Sequence, residues 1–305
     1  DVQATCDAIG IPYYPVNFTR EYRDRVFSHF LSEYQKGRTP NPDVLCNREI
    51  KFKAFLDFAM RIGAQKLATG HFALVREGAD GFALLRGADT SKDQSYFLYM
   101  LTQPPLSRAM FPVGGLTKAE VRAIARKARL PVAEKRDSTG VCFIGERDFK
   151  AFLQTYLPAS PGDIVTPDGK RVGRHEGLMY YTLGQRRGLG IGGAPGSGER
   201  WFVVEKDLAN NRLIVERGQD SPRLYSTRCL ASGATWISGH APAPSFDCTA
   251  NYRYRQADQR VHVEVEGDTL LVTAYAAQRA VTPGQSVVLY DGDVCLGGAV
   301  AEETR

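Results

Sequence analysis

Apolar positions along this chain change their spacing about halfway. In the first hundred residues helical and strand-like patterns alternate, which predicts an α/β fold. Ile11 to Phe18 reads as a short strand. Tyr22, Val26, Phe30 and Tyr34, joined by Phe27 and Leu31, form an amphipathic helical stripe that stops at Gly37. A second helix is expected with Asn47 as its cap, Ile50, Ala54, Phe55, Phe58, Ala59 and Ile62 on its buried face, and Gly63 in the left-handed position after it. Lys66 to Thr69 predicts a strand that ends in Gly70-His71, the strand-then-glycine arrangement at which α/β sheets bind ligands. Thr117 with Glu120 makes a capping box for a helix reaching Arg129 and carrying Val121, Ile124 and Ala125.

Pro158, Pro161, Gly162, Pro167 and Gly169 interrupt the chain, and beyond them the spacing shortens to the alternation of strands. Trp201 to Glu205, Leu213 to Glu216, Val261 to Glu266, Leu270 to Ala274 and Ser286 to Tyr290 are predicted strands. Asn210-Asn211 and Asp291-Gly292 are hairpin turns, and the spacing favours a small barrel over a sandwich.

Composition narrows the function classes. The 305 residues are 43% hydrophobic and 24% charged, enough apolar mass for more than one core. No stretch approaches the ~18 uninterrupted apolar residues of a membrane helix, so a soluble, cytoplasmic protein without a membrane partner is expected. The excess of 39 basic over 34 acidic residues favours a polyanionic partner without identifying it. Six cysteines at 6, 46, 142, 229, 248 and 295 lack any C-x-x-C spacing, which argues for reduced thiols rather than a zinc knuckle or a disulfide framework.

Several segments could carry chemistry. In Thr39-Pro40-Asn41-Pro42-Asp43-Val44-Leu45-Cys46-Asn47 two prolines hold the backbone extended and present Asn41 and Asp43 rigidly. Cys46 beside a helix start would favour a thiolate, and the competing reading is a buried small hydrophobe. Cys142 lies in a Ser-Thr-Gly turn with Lys135, Arg136 and Arg147 nearby, and the same two readings apply. Lys92-Asp93-Gln94 joins donors and an acceptor to the aromatics that follow. Tyr252-Arg253-Tyr254-Arg255-Gln256, read as a strand, alternates rings and guanidinium groups as stacking on bases and pairing with phosphates require; a solvated strand face is the alternative. Gly188-Leu189-Gly190-Ile191-Gly192-Gly193 fits G-x-G-x-x-G but is followed by Ala194-Pro195-Gly196, where a helix would have to start, so it reads as a loop beside Gln185-Arg186-Arg187. His29, His175, His240 and His262 are scattered without metal-ligand or triad spacing, and no metal site is predicted.

These strings resemble the bacterial tRNA-specific 2-thiouridylases. The resemblance rests on Gly37 to Asn47, Ile50 to Phe55, Ala68 to His71, Lys92 to Leu98, Asp137 to Arg147, Gly184 to Gly190 and Arg253 to Gln256, in the family's order over nearly the whole chain. It implies an ATP-pyrophosphatase domain of adenine nucleotide alpha-hydrolase type near 1–107, a small central domain or connector carrying the second cysteine near 108–167, and a mainly β region near 168–305 that includes a C-terminal antiparallel β-barrel. It implies the ATP-dependent conversion of the wobble uridine to 2-thiouridine, with release of AMP and pyrophosphate, ATP carrying Mg²⁺, and sulfur supplied as a persulfide. Cys46 is then the nucleophile and Cys142 the persulfide carrier, the two passing through a transient disulfide. Asn41, Pro42 and Asp43 meet the target base, with Asp43 a possible acid/base. Gly70 binds ATP, and Lys92, Asp93, Gln94, Arg253 and Tyr254 contact tRNA. The implied partners are the tRNAs for Lys, Glu and Gln and a sulfur-relay protein or cysteine desulfurase.

One departure accompanies the match. The family's Ser-Gly-Gly-x-Asp-Ser-Ser phosphate loop does not occur in this sequence, which starts at Asp1. The expectation is a first domain partial at its N-terminus and inefficient in adenylation as written. A tRNA-binding module or paralogue without ATP-dependent catalysis is the alternative, and a ligase acting on a small molecule is a third reading.

Overall fold

The computed structural model describes residues 1–135, 149–192 and 199–305. Helix α1 (Val2–Ile9) is followed by an extended segment in which Ile11, Tyr13, Tyr14 and Val16 are exposed. The strand expected over Ile11 to Phe18 is absent: Pro12 and Pro15 withhold two ladder donors, and no described strand pairs with the segment.

Thr19–Tyr22 (α2), a π-wound turn at Arg23–Phe27 and Ser28–Gln35 (α3) run on as one rod. Its predicted stripe is its buried face, with Tyr22, Val26, Phe30 and Tyr34 all buried, and Gly37 beyond its end has φ +73°. The next helix differs from expectation at both ends. It begins at Pro42–Leu45 (α4), continues π-wound through Cys46–Phe55 and ends as Leu56–Arg61 (α5). Asn41, not Asn47, is its cap. The wide winding and the non-helical Phe52 (φ −99°, ψ 15°) shift the register, so Phe52 and Leu56 join Ile50 and Ala59 in the core and Ile62 is 69% exposed. Gly63 takes the left-handed conformation as expected.

Strand β1 (Leu67–Ala68) pairs in parallel with β4 (Ala109–Met110), an α/β feature. Between them the hairpin β2 (Ala73–Gly78) and β3 (Gly81–Arg86), a 3₁₀ turn at Ser95–Leu98 and helix α6 (Gln103–Arg108) lead onward. Helix α7 (Lys118–Lys127) has the predicted Thr117–Glu120 capping box and buries no residue. Leu153 of helix α8 (Phe149–Gln154) and Leu157 just after it pack against Phe30 and Tyr34.

A four-stranded sheet follows in the order β6 (Arg171–His175), β5 (Gly162–Val165), β8 (Arg212–Arg217) and β7 (Trp201–Asp207), packed on Ile164, Val203, Leu213 and Val215. Asn211, at φ +52°, makes the expected β7–β8 turn. The last six strands are β9 (Tyr225–Trp236), β10 (Ser245–Asn251), β11 (Gln259–Glu266), β12 (Thr269–Arg279), β13 (Ser286–Asp291) and β14 (Val294–Thr304). They pair antiparallel in the order β13-β10-β11-β12-β9-β14, and β14 closes on β13, giving the predicted barrel. Alternate residues Val261, Val263, Leu270 and Val272 fill its interior.

The barrel does not stand apart from the α/β part. Cys295 and Val294 of β14 pair with Leu84 and Leu85 of β3, so the β2–β3 hairpin extends the barrel sheet. One core therefore combines Val44, Phe52, Tyr96, Leu98 and Phe111 with Val288 and Tyr290 of the barrel. Residues far apart in sequence meet along this seam.

Candidate functional site

Helix α4 starts at the segment singled out by its two prolines. Asn41 is extended (φ −108°, ψ 97°), and its Oδ1 accepts the Asp43 N–H at 3.2 Å. Pro42 is the first helical residue, where a missing N–H costs nothing. Pro42 is buried while Asn41 and Asp43 are half-buried, so two polar side chains stand at a rigid helix start.

Cys46 lies a turn further in, at 0% exposure among Tyr22, Val26 and Ile50. Its amide already bonds the carbonyls of Pro42 and Asp43, which corrects the picture of a thiol at the first turn. Asn47 is likewise not a cap. It is buried, and its Nδ2 donates to the Phe97 carbonyl at 2.9 Å.

Gly70 follows β1 at the surface, and a Cβ built there would meet nothing within 4 Å. Next to it, His71 Nδ1 lies 2.7 Å from Thr69 Oγ1, and its ring packs against Phe52 and Phe111 at 6.0 and 5.8 Å. Burial, helped by the Lys51 charge, pushes this imidazole down to about 3, so it is neutral at pH 7. Phe52 belongs to the helix of Cys46; the strand end and that helix thus share an aromatic contact. Sequence reasoning passed over His71, and the strand-then-glycine signal was the clue available.

Across the seam lies a cleft of about 700 Å³. Lys92, Asp93 and Tyr96 line one side and Tyr254, Arg255 and Gln256 the other. The Tyr254 ring is 4.5 Å from Phe97 and 6.2 Å from Tyr96, with the Arg255 guanidinium 5.1 Å from it. Tyr252 to Gln256 is a turn after β10 and not a strand. Asn251 and Gln256 tie the turn to itself: Asn251 Nδ2 donates to the Gln256 carbonyl, and Gln256 Oε1 accepts the Tyr252 N–H.

The expected contact residues face different ways. Asp93 accepts from the Gly87 and Ser95 amides and from Ser95 Oγ, so its carboxylate shapes the loop. Gln94 turns inward, its Oε1 accepting the Phe72 N–H at 3.0 Å. Arg253 is exposed outside the cleft lining. Cys142, and with it the expected Cys46–Cys142 pairing, lies outside the described residues.

One histidine has partners that its sequence position hid. Pairing of β10 with β11 sets His262 opposite Asp247, and His262 contacts Ser245 Oγ and Asp247 Oδ1, both at 2.9 Å. These contacts lie on the solvent face of the barrel, with Asp247 61% exposed. Among the described residues no group of three or more His, Cys, Asp or Glu could hold a metal, and no helix is long and apolar enough to cross a membrane.

Comparison with known proteins adds to this geometry. Family profiles match consecutively: a tRNA methyl transferase HUP domain over 1–146, a tRNA methyl transferase PRC-barrel domain over 150–217 and an aminomethyltransferase beta-barrel domain over 226–301. A protein of Alkaliphilus oremlandii named tRNA-specific 2-thiouridylase MnmA is 59% identical over 99% of this chain and 83% of its own length. Proteins of the same name from Exiguobacterium sibiricum and Hahella chejuensis are 57% and 56% identical, over 80% and 83% of theirs. The chain belongs to the tRNA-specific 2-thiouridylase MnmA family. Its three-part MnmA architecture agrees with the α/β region, the central sheet and the closed barrel.

Proposed function

We propose that this protein is a tRNA 2-thiouridylase, which replaces the C2 oxygen of the wobble uridine by sulfur. The observation that carries the reading is the junction of Asn41 and Asp43 at a helix start, with Cys46 a turn further along the same helix, to the Lys92–Tyr254 cleft through Asn47, Phe97 and Tyr254. Conversion of a buried base carbonyl needs a base pocket, a nucleophilic sulfur and an RNA surface beside both.

Asn41 and Asp43 would hold the base edge, and the prolines around them keep that edge from shifting. Asp43 would move a proton at the base. ATP supplies the leaving group by converting the poorly departing C2 oxygen into an AMP ester. The exposed backbone at Gly70 leaves room for a nucleotide, since no atom occupies the flank of its Cα.

Sulfur delivery is assigned to two thiols. Cys142 would carry a persulfide formed from a sulfur-relay protein or cysteine desulfurase. The Cys46 thiolate attacks the inner sulfur of that persulfide, the S–S bond to the outer sulfur breaks, and hydrosulfide departs with the electron pair. Hydrosulfide adds at C2 and AMP leaves. The two cysteines end as a disulfide, which an external thiol reduces to restore the enzyme. Burial of Cys46 suits this division, because the site excludes water that would otherwise compete for the activated carbon.

The RNA surface would combine Lys92 with the Tyr254 ring and the neighbouring Arg253 and Arg255, a charge-and-stacking combination suited to a single-stranded anticodon loop. The tRNAs for Lys, Glu and Gln are the inferred substrates, and the cytoplasm the inferred compartment. The deciding experiment is thiolation of unmodified tRNA by the intact protein with ATP and a persulfide donor. Cys46→Ser and Cys142→Ser should each abolish 2-thiouridine. Binding of tRNA without AMP release in the wild type would instead select a binding module.

A further inference from the structure

The tripeptide Gly37-Arg38-Thr39, just before the Asn41–Cys46 segment, is gripped by three parts of the molecule. Lys206 Nζ, from β7 of the central sheet, donates to the Gly37 carbonyl at 2.8 Å, and Leu208 closes over the Gly37 Cα, where a Cβ would lie 2.6 Å from its Cδ2. Arg38 pairs with Glu33 of its own helical rod at 3.1 Å and with Glu302 of barrel strand β14. Thr39 donates its N–H to the Pro283 carbonyl at 3.0 Å, and its own carbonyl accepts from Gln285 Nε2 at 2.6 Å. Thr182 Oγ1 approaches Thr39 Oγ1 at 3.4 Å.

The Lys206 contact differs in kind from the others. Among the described residues no carboxylate pairs with its ammonium. It meets the Gly37 carbonyl just past the C-terminal end of the α2–α3 rod, where the helix dipole favours a cation. Burial pushes this ammonium down to about 8, so the charge opposes folding at neutral pH. An apolar side chain at 206 would avoid that cost and could still cover Gly37. What it could not do is fix the carbonyl's direction, and from that carbonyl only Arg38, Thr39 and Pro40 intervene before Asn41.

We propose that Lys206 is a positioning residue for the sulfur-transfer site: from the central sheet it orients the Gly37 carbonyl and thereby sets where Asn41, Asp43 and Cys46 stand against the bound RNA. The inference rests on the function assigned to those three residues. It also gives the central sheet a task in the reaction, since Lys206 of β7 and Leu208 in the turn after it reach Gly37 from that sheet.

The test compares Lys206→Met, Lys206→Arg and Cys46→Ser in the intact protein, by steady-state thiolation, amide hydrogen exchange over 41–47 and thermal melting. Loss of one charge-assisted hydrogen bond predicts that Lys206→Met lowers kcat about ten-fold. The tRNA KM should stay within about two-fold, because the RNA surface is untouched. Amide exchange over 41–47 should rise about ten-fold while the melting midpoint holds, and Lys206→Arg should restore most of kcat and the protection. Unchanged kcat and exchange in Lys206→Met, or a general loss of stability that Arg does not repair, would overturn the proposal. If Cys46→Ser still thiolates, the assigned role of Cys46 fails; the exchange data then judge Lys206 separately.

Discussion

Phe97 and Tyr254, 157 positions apart, hold their rings 4.5 Å from each other across the seam between the α/β part and the barrel. Phe97 also lends its carbonyl to Asn47, the neighbour of Cys46. One aromatic pair thus ties the cleft to the helix of the nucleophile. Tyr254→Ala should weaken tRNA binding by about 1–3 kcal/mol, the size of one lost base stack, and Tyr254→Phe should retain nearly all of it. Filter binding or fluorescence anisotropy at fixed salt decides; equal losses for both variants would assign the effect to the hydroxyl instead of the ring.

Asn41 serves two purposes that substitution can separate. As a helix cap it should cost about 1 kcal/mol when changed to Ala, and only a few tenths when changed to Gly. Asn41→Asp keeps an oxygen for the Asp43 N–H and should keep stability. If Asn41 also meets the base, Asn41→Asp lowers thiolation at unchanged urea midpoint, since a carboxylate cannot donate to a base carbonyl. An active Asn41→Asp enzyme would leave Asn41 as a cap only.

Much of this fold is legible in the sequence. Gly37, Gly63 and Asp291-Gly292 marked chain reversals because a left-handed residue has few alternatives to glycine, and the Tyr22-to-Tyr34 stripe named the buried face of its helix. The helix of Cys46 was misread where winding left the 3.6-residue period: π turns moved Phe52 and Leu56 inward and Ile62 outward. Tyr252 to Gln256 alternates like a strand, yet Arg255 adopts φ +62° and bends it into a turn. The inward turn of Gln94 and the Ser245–His262–Asp247 contacts depend on partners brought by tertiary pairing, which local sequence does not encode.

Burial makes Cys46 informative in two ways. Because its thiol is fully enclosed, alkylation of the folded protein by iodoacetamide should be slow and should accelerate on tRNA-free partial denaturation. Cys46→Ala should cost about 1 kcal/mol of stability through lost packing, and Cys46→Ser somewhat more, because a hydroxyl in the Tyr22, Val26 and Ile50 cluster must find a partner. Thiolation should vanish in both. Rapid alkylation of the native protein would show that the helix opens more readily than its packing implies.

His71 should make stability pH-dependent in a defined window. Burial and the Lys51 charge hold its folded pKa down at about 3, against about 6.5 for an unfolded histidine. Between these values the unfolded chain binds the extra proton, so stability rises with pH across the interval: it is complete above 6.5 and drains away as pH falls toward 3, by up to about 1.4 kcal/mol per pH unit. His71→Phe keeps a ring between Phe52 and Phe111 but removes the titration. Urea unfolding at pH 7.0 and 4.5 should therefore show wild type losing more stability on acidification than His71→Phe. Parallel losses would mean that the imidazole is hydrated in the folded state, and that the contact joining Gly70 to the helix of Cys46 is looser than its ring distances indicate.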